Sequence, residues 1–214
     1  HLAGWPFDDL PTTGELLDTP APSTLTSVEP SQRERTDSIA AENAFSTTNE
    51  VTELITQLRS SPVRDLARGG VSLPDSKRLA VAMFVPLDKI AGLVDIAERA
   101  GLIATTKAQW MPTPDAAQWM SLGAAERWVH LAEAWHQGVP DNIRAILADR
   151  VQSFWGSGVE EYVRWLFPAG VDAMLERFRR YARDARLLGV TAEQLPSSAG
   201  IALLTRTPAE AAAV

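Results

Sequence analysis

Residues 86–111 read PLDKIAGLVDIAERAGLIATTKAQWM, and the fold turns on this stretch. At 100° per residue, Leu87, Ile90, Leu93, Val94 and Ala97 gather on one side of a helix that Pro86 opens and Gly101 closes. Asp88, Lys89, Gly92, Asp95 and Arg99 gather opposite and read as its solvated face. Beyond Gly101, the run from Leu102 to Met111 predicts two short strands joined by a tight turn near Lys107.

Toward the N-terminus, Pro74 to Met83 predicts another helix, with Pro in its first turn. Before it, Val63 to Arg68 predicts a brief strand punctuated by Gly69-Gly70. A further helix is expected to start near Thr48, to carry Val51, Leu54, Ile55 and Leu58 at i, i+3, i+4 and i+7, and to stop at Pro62. Helix, short strand, helix, helix, hairpin is the order of a winged helix, a helix-turn-helix variant. The expected fold class is therefore mainly α, with a winged helix-turn-helix over residues 47–112.

Toward the C-terminus, Thr113-Pro114-Asp115 is a helix start, and Gly123 to Gln137 lines Trp128, Leu131, Ala132 and Trp135 along one face. Further helices are expected at 141–154, 159–167 and 171–187, then a second wing-like element at 187–205 in which a serine caps one more short helix. Residues 113–214 thus read as a helical portion. Residues 1–46 are rich in Pro, Thr, Ser and acids and predict an extended linker arm, whose Trp5, Phe7 and Phe45 could dock on the body.

Composition narrows the function by exclusion. The 214 residues contain no cysteine, so disulfides, thiolate zinc sites, iron–sulfur clusters and a cysteine nucleophile are absent. The net charge of -7 sits mostly in residues 1–49, which carry 8 acidic and 2 basic side chains. Beyond them the chain is close to neutral, which neither predicts nor forbids contact with phosphates. A start at His1 reads as a cut within a longer parent chain. No segment has the order of a signal peptide, and the apolar stretch Leu79 to Leu87 is too short to span a bilayer, so a cytoplasmic protein without a membrane partner is expected.

On the third helix, acids and bases cancel, whereas a groove-reading helix offers a surplus of Arg, Lys, Asn or Gln. The DNA-contact candidates are Arg64, Arg68, Lys77, Arg78, Lys89 and Lys107. A secondary basic face is expected from Arg179, Arg183 and Arg186, one side of a helix with no acid between them, with Glu176–Arg180 and Arg180–Asp184 as supporting i,i+4 pairs. His130 and His136 lie 240° apart on a helix and do not make a metal pair. Gly156-Ser157-Gly158 lacks the buried strand of a nucleophile elbow and reads as a helix connection. Asp8-Asp9 and Glu160-Glu161 read as solvated, and Trp110, Trp119, Trp128 and Trp135 as core. With no Gly-x-x-x-x-Gly-Lys-Ser/Thr loop, the expectation is a non-enzyme with no catalytic residue, cofactor or metal.

The segments Pro62 to Ala104, Trp110-Met-Pro-Thr-Pro, Ala125-Glu-Arg-Trp with Ala134-Trp, and Leu188-Gly-Val-Thr followed by Ser197-Ser-Ala-Gly-Ile-Ala-Leu-Leu carry a resemblance. Together they resemble the helicase-associated proteins of actinobacteria, grouped with the N-terminal, non-motor region of XPB-type helicases, over roughly residues 47–205. The resemblance implies winged-helix folds in a part of a longer chain that acts beside DNA or a DNA-repair helicase. Two roles follow as expectations: a DNA-binding accessory module, or an interaction module that positions an XPB-type helicase or neighbouring domains.

Overall fold

The structure, a computed structural model, describes residues 29–66, 70–155, 157–166, 171–206 and 208–213. It opens with α1, Pro30–Ser60, which Pro30 starts and which Gln32 helps to cap by accepting from the Glu29 N–H at 3.2 Å. This corrects the expected arm: the helix begins at Pro30 and not near Thr48, while residues 1–28 lie outside the described residues. The early half of α1 lacks an apolar stripe because it packs through small and hydroxyl side chains. Thr36, Thr47, Thr48 and Ala40 are buried. Thr36, Thr48, Thr52 and Thr56 return their hydroxyl protons to the carbonyl four residues back, so their polar groups are satisfied inside the helix.

After Pro62 come β1 (Val63–Arg64), α2 (Leu73–Met83), α3 (Lys89–Arg99), β2 (Ile103–Thr106) and β3 (Gln109–Pro112). Ser72 caps α2 by accepting from the Asp75 N–H. Gly101, at φ 70, closes α3. β3 lies between its antiparallel neighbours in the order β1-β3-β2, with Val63 opposite Trp110 and Thr106 opposite Gln109. Lys107 and Ala108 both take positive φ, 51° and 59°, as a two-residue turn that follows strand twist requires.

The remainder is helical: α4 (Pro114–Met120), α5 (Ala124–Gly138), α6 (Asp141–Asp149), α7 (Ser157–Leu166) and α8 (Val171–Leu187). A hairpin follows, β4 (Thr191–Ala192) against β5 (Leu195–Pro196), then α9 (Ser198–Thr205) and α10 (Pro208–Ala212). Ser197 caps α9 by accepting from the Gly200 N–H at 2.9 Å. The described residues are thus mainly α, with two small antiparallel sheets.

No seam in the core separates residues 47–112 from 113–214. Val51, Leu54, Leu79, Leu93 and Trp110 belong to the same buried cluster as Trp128, Trp135, Phe178 and Leu203. Trp110, Trp119, Trp128 and Trp135 are all buried, and each indole N–H finds a backbone carbonyl: those of Gly70, Arg127, Leu188 and Tyr181 respectively. Two close contacts bind α1 to the segment that follows α8. Gly189, at φ 69, sits so near α1 that a Cβ would overlap the Ala40 carbonyl, and Asp37 accepts from both the N–H and the hydroxyl of Ser198.

A methyl at Gly189 would meet both the positive φ and the Ala40 carbonyl, so Gly189→Ala is expected to destabilise the protein by about 2–4 kcal/mol. Urea titration should show a lower midpoint with an unchanged slope. An unchanged midpoint would mean that α1 and the α8–β4 turn are not packed this closely.

Candidate functional site

The third helix was expected to offer Asp88, Lys89, Gly92, Asp95 and Arg99 to water; α8 covers most of that face instead. Gly92 is buried, and a Cβ there would come within 2.5 Å of Leu187 Cδ1 and 3.2 Å of Arg183 Nε. Asp95 accepts from Arg183 at 2.5 Å, and Arg99 donates to Asp184 at 2.9 Å. Asp184, fully buried, also accepts from Arg183 Nε at 3.0 Å and Nη2 at 2.7 Å. Lys89 reaches the other way, to both carboxylate oxygens of Glu50 on α1 at 2.7 and 3.0 Å. Of the five, only Asp88 keeps the exposed position expected of it; with Ala91 and Glu98, also exposed, it leaves α3 an acidic strip, and its cations Lys89 and Arg99 are paired and not offered to a groove.

This arrangement corrects the charge pattern read from the sequence. Arg183 does not share an open basic face with Arg179 and Arg186, because Asp95 and Asp184 hold it at the α3–α8 contact. Arg179 remains exposed but is paired in bidentate fashion with Glu160, at 2.9 and 2.7 Å, so Glu160 is engaged and not merely solvated. Arg186 is exposed. Asp184 turns inward to Arg99 and Arg183 and does not form the expected i,i+4 pair with Arg180. Burial pushes the Asp184 carboxyl above its usual range while the two guanidiniums pull it back; the Arg183 guanidinium is held in its charged form by Asp184 and Asp95.

Of the remaining candidates, the sheet brings Arg64 and Lys107 to one end. Arg64 lies opposite Gln109, the Asp65 N–H donates to the Ala108 carbonyl at 3.0 Å, and Lys107 stands at the tip of the β2–β3 turn. Both cations are exposed, beside exposed Thr105, Thr106 and Gln109. Lys77 is exposed on α2, whereas Arg78 is tied to the Ser61 carbonyl at 3.2 Å and lies 3.8 Å from Asp75. Arg68 lies outside the described residues, as do Asp8, Asp9 and Gly156.

A second feature of this region had no sequence signal. Phe84 ends α2 in the left-handed conformation at φ 55 that glycine normally fills, and it is 95% exposed. Val81, 76% exposed, and Leu73 lie on the same face of α2 as Lys77. A bulky residue in that conformation costs on the order of 1–2 kcal/mol, so the chain holds an aromatic ring in water at an energetic disadvantage.

The histidines do not form a site. His130 bonds the Ala100 carbonyl at 2.9 Å, and His136 has a buried Nε2 without a hydrogen-bond partner. Among the described residues, no group of three His, Asp or Glu side chains could hold a metal ion. No helix among them is long and apolar enough to cross a membrane.

Asp184→Ala leaves the partly buried Arg99 guanidinium without its carboxylate and Arg183 with Asp95 alone, and should cost about 3–5 kcal/mol in urea unfolding; a loss below about 1 kcal/mol would mean the contact is not closed. His136 supplies a pH test. Burial first and the Arg144 guanidinium second hold its imidazole below its usual value. The neutral ring therefore contributes stability that is present above the unfolded-state value of about 6.5 and is lost as pH falls through the lower folded value. Wild type should lose more stability than His136→Gln between neutral pH and pH 5.5, and parallel losses would contradict the burial.

No family model matches this chain, and neither a curated protein nor a solved structure matches it.

Proposed function

We propose that this chain is a non-catalytic winged-helix accessory module of the helicase-associated kind found in actinobacteria, working in the cytoplasm beside DNA. Its contact with nucleic acid is made by the sheet edge and hairpin, and α3 serves as a structural helix. One observation carries this reading: Arg64 and the turn residue Lys107 stand together, exposed, at one end of a β1-β3-β2 sheet that follows a helix–strand–helix–helix–hairpin order. Two neighbouring cations flanked by Thr106 and Gln109 suit phosphate oxygens, which accept from Lys, Arg, hydroxyl and amide donors alike, while the Thr105 hydroxyl is held by the Asp65 carboxylate at 3.4 Å. Such contacts position a duplex and carry no sequence preference.

A second reading rests on a different observation, the apolar face of α2. Leu73, Val81 and Phe84 expose more side chain than a solvated helix needs, and a rigid aromatic on a turn suits a pocket in a protein partner such as an XPB-type helicase.

The readings separate by anisotropy of labelled duplex and forked DNA across a salt series. On the first reading wild type binds, and Arg64→Ala with Lys107→Ala flattens the slope of log K against log salt by about two, while Lys89→Ala leaves it unchanged. Absence of binding at low salt would remove the DNA role and leave the protein-docking one.

A further inference from the structure

One groove formed by the described residues lies far along α1 from the hairpin. It is a groove of about 290 Å³ bounded by α1, the first turn of α5, and α9 and α10. Its walls are methyl groups, among them Ala40, Ala44, Ala125 and Ala211, and Trp128 also lines it. Phe45 stands at its edge, 65% exposed. The polar groups at its margin are largely spent within the fold: Asp37 holds Ser198, and Ser197 caps α9. A space walled by methyl groups is shaped for large apolar side chains and offers little to a charged ligand.

We propose that the groove is the docking site of this chain's own segment Trp5 to Leu10. Two observations point to that occupant. The first is where the segment is attached: residues 1–28 join the described chain at Glu29, the start of the helix that lines the groove from Asp37 onward. From Pro30 to Ala44 an α-helix advances about 21 Å, whereas the residues between Phe7 and Glu29, fully extended, span on the order of 70 Å. The tether reaches with slack, and a tethered segment is presented at an effective concentration of roughly millimolar.

The second is size and chemistry. Within residues 1–28 the only Trp and Phe are Trp5 and Phe7, separated by Pro6, and a 290 Å³ groove accommodates one or two such side chains.

The complete absence of cysteine gives a clean test on the full chain. Asp8→Cys, which leaves Trp5 and Phe7 in place, is combined in turn with Ala41→Cys, with Ala125→Cys, and with Glu42→Cys, and disulfide formation in a glutathione buffer is followed by mass spectrometry. Ala41 and Ala125 line the groove on different helices; Glu42 is exposed beside Ala41 on α1 but does not line it, so it controls for the tether alone. All three positions are exposed, and matched melting of the reduced variants with wild type checks that each folds. Docking predicts intramolecular disulfides at both groove positions at least tenfold faster than at Glu42→Cys. Equal rates at the three positions would overturn the proposal, and so would disulfides that join two molecules and accelerate with protein concentration, which would assign the groove to a second copy.

Discussion

Asp184 is a carboxylate shut away from water, and two guanidiniums hold it there: Arg99 from α3 and Arg183 from the preceding position of its own helix. An ionised group in such a place is tolerated only when both oxygens are bonded, and here they are. Arg183 then reaches on to Asp95, so two acids and two bases neutralise one another across the α3–α8 contact. Gly92 lets α8 approach by leaving room for Leu187. Because Leu187 also accepts the Thr47 hydroxyl proton through its carbonyl, and Leu188 that of the Trp128 indole, the same turn of α8 fixes α1 and α5. The α3–α8 junction is thereby tied to α1 and α5 as well.

Its effect on function is subtractive. Four of the five polar or small positions that make α3 look like an open helix face are consumed: Gly92 by Leu187, Asp95 by Arg183, Arg99 by Asp184 and Lys89 by Glu50. Within residues 47–112, the hairpin with its neighbouring strand and the outer face of α2 remain exposed. This is why a nucleic-acid role, if assigned to the fold, falls on Arg64 and Lys107 and not on α3.

Elements with a strong local signal were legible in the sequence. α2, α5, α8 and the β2–β3 hairpin lie where apolar period, proline, glycine and capping residues put them. The first half of α1 was not, because its buried side is made of Thr36, Ala40, Thr47 and Thr48. Alanine and threonine carry little hydrophobic contrast, and the threonine hydroxyls that look like loop residues are satisfied by carbonyls one turn back. The ion pairs were hidden for another reason. Arg183 and Asp95 are 88 positions apart, and no helical wheel drawn on one element shows which charges another element will meet.

Phe84 shows how local rules can fail and remain informative. A helix end in the left-handed conformation calls for glycine or asparagine, and the sequence Met83-Phe84-Val85-Pro86 supplies neither. The turn nevertheless closes there, with the Phe84 N–H on the Val81 carbonyl and the Val85 N–H on that of Ala80. Pro86 disfavours a helical conformation for the residue before it, and the buried Met83 and Ile90 on either side fix where the two helices must end and begin. The backbone is thus over-determined by its neighbours, and the side chain at position 84 is free to be anything the conformation can bear. That the position carries a large aromatic, projected into water, is not explained by the packing of the described residues, which is the physical ground for looking beyond them for its contact.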